Sequence, residues 1–151
     1  MPVVISDTSC LIFLTKLDKL ALLPALFNEI WLSAVVAAEY GQPLPGWALV
    51  QPVGPLPTPA QLPERFGLGE RSSIGLALHH AGCLLIIDDE QPKQLAKQLG
   101  ISCIGTLGIL KLAKEAGLLS QLRPVVQQLR TTGGMWLSDY VAERVCRAAG
   151  E

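Results

Sequence analysis

A chain of 151 residues, 50% hydrophobic and 17% charged, carries enough apolar material for one buried core and too little charge for intrinsic disorder. Twelve Lys and Arg against 13 Asp and Glu leave a formal net charge of -1, which excludes the strongly basic footprint of a general nucleic-acid binder. It does not exclude basic residues concentrated on one face, which composition does not show.

Residues 2–6, PVVIS, form an apolar run without alternation, as expected of a parallel strand buried on both faces. Asp7, Thr8 and Ser9 then supply cap chemistry for a helix through CLIFLTKL, and a second amphipathic stretch, LDKLALLPALFN, is kinked or restarted at Pro24. EIWLS reads as a second strand, followed by a helix SAVVAAEYG that stops at Gly41. Between Gln42 and Pro63 the chain is rich in proline and glycine; ALVQPV is a candidate short strand there and PLPTPAQLP a surface loop. LGERSSIGLALHHAG has helical periodicity, with Ile74, Ala77 and Leu78 on one face and Gly82 as the stop. CLLII is the clearest buried strand. It leads into a polar helix start, DDEQPKQLAKQLG, with Leu95 and Leu99 on one side, and then into a strand ISCIG. Thr106 opens a helix TLGILKLAKEAG, and LSQLRPVVQQLRTTGG and LSDYVAERVCRAAG complete a helical C-terminus.

Strands alternating with helices predict βαβ crossovers and a mainly parallel sheet in one domain, residues 1–151. Cys10, Cys83, Cys103 and Cys146 show no CxxC pair and read as buried thiols of a reducing compartment. The N-terminus lacks a basic n-region, and no apolar run approaches the roughly 20 residues of a membrane span, so a cytoplasmic protein with no membrane contact is expected. A mean hydropathy of +0.38 favours an apolar surface shared with a partner, and a homodimer is expected.

The chemistry lies in acids placed where predicted strands end or helices begin. They are Asp7 after PVVIS, Glu39 in VVAAEYG, Glu70 in GLGERSS, and Asp88 with Asp89 after LLII. Loops at the carboxyl ends of parallel strands converge on one crevice, and gathered carboxylates repel unless a cation holds them. Such oxygen-only clusters suit a divalent metal and, with it, phosphodiester cleavage. Each acid also has a plainer reading. Asp7 is a candidate helix cap, Glu39 a solvated residue near a helix end, and Glu70 a first-turn acid favoured by the helix dipole. Of the adjacent pair, Asp88 is the first candidate to face inward, with Asp89 coordinating or orienting its neighbour. Lys93 and Lys97, with Lys111, Lys114, Arg123 and Arg130, are candidates for phosphate contacts. Trp31, Trp47 and Trp136 divide between base stacking and packing, His79 and His80 complement a helix C-terminus, and no GxxxxGK[ST] phosphate loop is present.

Taken in order, VVISDTSCLIFL, VVAAEYG, LGERSSIGLAL and LLIIDDEQPKQLAKQLGISCIGTLGILKLAKEAGLL resemble the PIN-domain nucleases, most of all the branch related to toxins of toxin–antitoxin modules. The resemblance runs to about Leu129, and the tail from Gly133 fits the same branch. It implies a three-layer α/β/α sandwich and an RNA-cleaving hydrolase dependent on Mg²⁺ or Mn²⁺. Asp7, Glu39, Glu70 and Asp88 or Asp89 would be its acids, with Thr106 as a supporting hydroxyl and a small antitoxin as a partner. Where this branch tends to carry arginine after the paired aspartates, the chain has Pro92 and Lys93, which lacks the bidentate fork. That departure motivates a second reading, a catalytically inert module that binds nucleic acid or protein. A phosphoacceptor domain of the receiver type would need a lysine after a later strand, and ISCIG offers none.

Overall fold

The computed structural model describes residues 2–55 and 62–151. Five short strands, β1 (Val4–Ser6), β2 (Ile30–Leu32), β3 (Ala48–Val50), β4 (Leu84–Ile86) and β5 (Ser102–Ile104), form one sheet in the order β3-β2-β1-β4-β5. Every neighbouring pair is parallel. Among the described residues the expected mainly parallel sheet is therefore parallel throughout.

Helices α1 (Thr8–Lys16), α2 (Leu22–Phe27), α3 (Ala34–Tyr40), α4 (Leu68–Leu78), α5 (Glu90–Gln98), α6 (Thr106–Glu115), α7 (Arg123–Arg130) and α8 (Asp139–Ala148) cover it. Successive strand side chains point to opposite faces, which explains the unbroken apolar runs. Val4 and Ile86 join the core under α1, α2, α6, α7 and α8, where Leu14, Leu23, Ile109, Val126 and Cys146 are buried. Ile5, Leu85 and Ile87 join the opposite core, with Ile74 and Leu76 of α4 and Ala96 of α5. The result is the three-layer α/β/α sandwich. Burial of each such aliphatic side chain contributes about 1.5–3 kcal/mol.

Local chemistry sets most boundaries as read from the chain. Ser33 accepts a 3.1 Å hydrogen bond from the Val36 N–H at the start of α3, and Gly41 ends that helix at φ 68°. Several boundaries differ, among them α2, which begins at Leu22 and runs through Pro24, and α7, which begins only at Arg123. The first helix begins at Thr8, directly against Asp7, and not at Cys10. The strand expected over ALVQPV ends at Val50, and α4 stops at Leu78 with His79 as its cap, short of Gly82. Nor does α4 carry a single apolar face: Ser72, Ser73, Ile74, Gly75, Leu76 and Ala77 are all buried, whereas Leu78 is half-buried. Its serines tolerate burial because they are hydrogen-bonded, Ser72 sharing a 2.7 Å contact with the Ser33 hydroxyl and Ser73 donating to the Gly69 carbonyl at 2.7 Å. The loop expected over residues 55–63 lies outside the described residues from 56 to 61. Among the described residues no helix is long and apolar enough to cross a membrane.

The strand order decides where a site forms. From β1 the chain moves outward through β2 and β3 on one side, and β4 with β5 lies on the other, so the order reverses between β1 and β4. In open parallel sheets the crevice opens at that reversal, outside the carboxyl ends of the strands. Ser6 is level with Ile86, so the residues that follow both strands emerge side by side.

Candidate active site

Asp7 leaves β1 at this reversal, tied to β4 by its own N–H, which donates to the Ile86 carbonyl at 2.9 Å. It occupies the residue before α1 with extended backbone, yet its side chain caps nothing. The capping explanation for this aspartate is therefore not realised. Its side chain is only 4% exposed, and burial pushes its carboxyl up to about 6. The nearby Thr8 backbone N–H opposes that rise, and the charges of Glu39, Asp89 and Asp88 reinforce it.

Glu39 reaches the same place from the last turn of α3. The Thr8 hydroxyl donates to its Oε1 at 2.6 Å, and a Cβ built on Gly69 would collide with that same oxygen. Glycine at this position of α4 therefore leaves room for the carboxylate. Glu70, one residue on, divides its two oxygens. Oε1 accepts the Gly67 N–H at 3.1 Å, fulfilling the helix-start role read from the chain, while Oε2 is buried without a hydrogen-bond partner. Burial, then the adjacent Asp89 carboxylate, pushes Glu70 up to about 7. Asp7, Glu39, Glu70 and Asp89 line one cavity of about 370 Å³, with Thr8 and Ser9 between them.

Asp88 turns elsewhere. Its Oδ1 accepts the Thr106 backbone N–H and its Oδ2 the Thr106 hydroxyl, each at 2.7 Å, so it caps the start of α6. Burial raises its carboxyl, while both Thr106 donors and the Lys93 ammonium pull the other way. Consecutive side chains diverge at a helix start, and here the divergence sends Asp89 to the acid cavity and Asp88 to an adjoining one of about 650 Å³. The two cavities share Ser9 and Asp89. Lys93 lines the larger one, close to Gly105, where a Cβ would stand 3.1 Å from its Nζ and 3.0 Å from Asp88 Oδ1.

The remaining basic candidates are engaged or remote. Lys111, Lys114, Arg123 and Arg130 form ion pairs with Glu115, Glu151, Glu143 and Asp139. Lys97 is exposed in the last turn of α5 and lines neither cavity. Cys10 is fully packed, and burial pushes its thiol up to about 12, which removes it as a nucleophile.

The donor set bears on whether a divalent cation suits this cavity. Every candidate ligand is a carboxylate oxygen, the chemistry Mg²⁺ and Mn²⁺ prefer. A buried carboxylate oxygen facing a second carboxylate with no donor between them, as at Glu70 and Asp89, is the situation a cation relieves. The residues fit the ion in kind and place. Their side chains ring the cavity without closing on a point, since no group of three or more His, Cys, Asp or Glu among the described residues is arranged to hold a metal. Thr8 and Gly69 escaped the reading of the chain. The signal for Thr8 was its place in DTS directly after the first strand; Gly69 carried none, because its partner is distant in sequence.

A family model described as a PIN domain matches residues 3–151. No curated protein and no solved structure matched the chain.

Proposed function

The chain belongs to the PIN-domain family, and from that membership and the acid crevice we propose that it is an endoribonuclease dependent on Mg²⁺ or Mn²⁺. PIN domains are generally nucleases, and they typically use divalent metal ions. The observation that carries the proposal is the unpartnered Glu70 oxygen beside Asp89, in the same cavity as buried Asp7. Asp7, Glu70 and Asp89 would hold the ion, with Asp88 behind them fixed by Thr106. When bound, the ion supplies Lewis-acid stabilisation of the phosphate and acidifies a nucleophilic water. Glu39, which Thr8 orients at the edge of the same cavity, would serve as the general base. Lys93 would contact the phosphate backbone, and Lys97, one turn further along α5, would extend that track.

The resemblance to toxins of toxin–antitoxin modules supports a cytoplasmic toxin restrained by a small antitoxin protein, and the mean hydropathy of +0.38 supports a homodimer. The second reading, an inert binding module, draws its support from acids that ring the cavity without closing on a point. Cleavage of single-stranded RNA by the purified chain in Mn²⁺, in chelator, and as the Asp7→Asn variant tests the proposal. Cleavage should need the metal and vanish in the variant while its circular dichroism is kept. Equal cleavage by both proteins would overturn it. A Mn²⁺-induced thermal shift that disappears in Glu70→Gln separates the nuclease from the inert module.

A further inference from the structure

The larger cavity beside the acids has a wall that the cleavage reaction does not use. It is built by Phe13 of α1, Leu107 of α6, Met135 and Trp136 from the segment that leads into α8, and Val141 of α8 itself. Trp136 is 85% exposed, the most exposed large hydrophobic side chain among the described residues. Trp31 and Trp47 are half-buried, Trp31 meeting His80 edge-on at 4.9 Å and Trp47 packing on the core. An indole left in solvent at the rim of a cavity contributes little to folding.

We propose that this wall is a subsite in which a nucleobase flanking the scissile phosphate of a single-stranded RNA stacks on Trp136, with Lys93 beneath it on the adjoining phosphate. The proposal rests on the nuclease reading and adds the substrate contact that it lacks. Three observations carry it. Continuity is the first: the cavity shares Ser9 and Asp89 with the acid crevice, so a strand whose phosphate lies at the acids has a continuous path for its next nucleotide across the wall. The second is size and chemistry, since about 650 Å³ with an apolar side, an exposed indole and one ammonium suits a base attached to a phosphate. The third is charge. The net charge is -1, Lys111, Lys114, Arg123 and Arg130 are engaged in ion pairs, and Lys93 is the one cation lining this cavity among the described residues, so attraction for phosphate at the wall is limited. Stacking needs no such charge, and a paired duplex does not offer a free base face.

The test measures binding, so it does not depend on turnover. Full-length protein carrying Asp7→Asn is titrated with an eight-nucleotide single-stranded oligoadenylate, with the same oligomer bearing one abasic position, and with a duplex of equal length. Tryptophan fluorescence should be quenched by the oligoadenylate and not by the duplex. Adding Trp136→Ala should weaken binding by roughly 5- to 100-fold and abolish the quench, and Trp136→Phe should restore most of the affinity, in line with the cost of losing one stacked base. Against the abasic oligomer that best reproduces the loss, Trp136→Ala should have no additional effect. The proposal is overturned if Trp136→Ala binds as tightly as its parent, or if its loss is the same at every abasic position. It is also overturned if the variant dissociates a dimer while RNA affinity stays unchanged, which would mark the wall as a self-association surface. If wild-type protein never cleaves RNA yet the binding results hold, the nuclease reading fails and the subsite stands.

Discussion

The Thr8 hydroxyl donates to Glu39 Oε1 across 2.6 Å, joining the first residue of α1 to the last turn of α3 in the lining of the acid cavity. Thr8 is buried, so this hydrogen bond fixes the rotamer of a glutamate that is otherwise exposed. Thr8→Val keeps the shape and removes the donor. Cleavage should fall by about 10- to 100-fold, the usual cost of losing a group that orients a reacting carboxylate, while stability falls by about 1 kcal/mol. Thr8→Ser should recover most of the rate. Single-turnover rates and thermal melts check both arms.

Gly69→Ala separates folding from function at one position. Alanine favours a helix over glycine by about 1 kcal/mol, so the melting temperature should hold or rise. Its methyl group would meet Glu39 Oε1 and stand 3.2 Å from the Thr8 hydroxyl, displacing the end of a flexible side chain and not the backbone. A stable protein with cleavage reduced by about 10-fold or more is the expected outcome.

The acids also predict how stability follows pH. Burial raises Asp7 from 3.8 to about 6 and Glu70 from 4.5 to about 7, so between these limits the folded chain binds more protons than the unfolded one. Their contribution is fully present below the unfolded values and is lost as pH rises through about 7. Glu143 and Glu151, held down to about 2 mainly by Arg123 and Lys114, lose their contribution only below about 4.5 and leave this window clear. Without metal, the melting temperature should drop by about 5 °C from pH 5 to 7.5, and Mn²⁺ should recover it at the upper end. Scanning calorimetry in chelator and in Mn²⁺ reads both changes.

Lys93 and Arg123 make opposite predictions for binding. Lys93 stands in the cavity beside Asp88 without an ion pair among the described residues, whereas Arg123 is held by Glu143 at 2.5 Å. Lys93→Ala should reduce the slope of log affinity against log salt by about one, as expected for one lost phosphate contact. Arg123→Ala should leave it unchanged. The two slopes, measured on the Asp7→Asn background, check this directly.

The sheet was legible in the chain because a strand buried on both faces has a distinctive text: PVVIS and CLLII are unbroken apolar runs, each ended by an acid. Packing decided what the chain could not express. Helix α4 reads as amphipathic yet is buried nearly all round, since it is enclosed between the sheet and α3 and its serines find partners on α3 and on its own first turn. Asp7, Asp88 and Asp89 were recognisable by their place after strands and Glu70 by its place at a helix start, but not which of Asp88 and Asp89 turns toward Asp7. That choice is made by Thr106, 18 residues downstream, whose two donors draw Asp88 to α6. Lys111, Lys114, Arg123 and Arg130 looked available for phosphate for the same reason: their carboxylate partners are set by the fold, and the one pair at helical spacing, Lys111 with Glu115, is ambiguous in text alone. Trp136 resembled any other tryptophan until its exposure was visible.

The central claim is that carboxylates following β1 and β4 and carboxylates of α3 and α4 together serve a divalent ion. A crystal structure of the full chain grown with Mn²⁺, recorded at the manganese absorption edge, tests it most directly. The anomalous peak should lie in the cavity lined by Asp7, Glu39, Glu70 and Asp89, with Asp7 and Asp89 oxygens about 2.1–2.2 Å from it and Glu70 Oε2 no longer unpartnered. A cavity without a peak at saturating Mn²⁺, or a peak held only by other residues, would contradict the account.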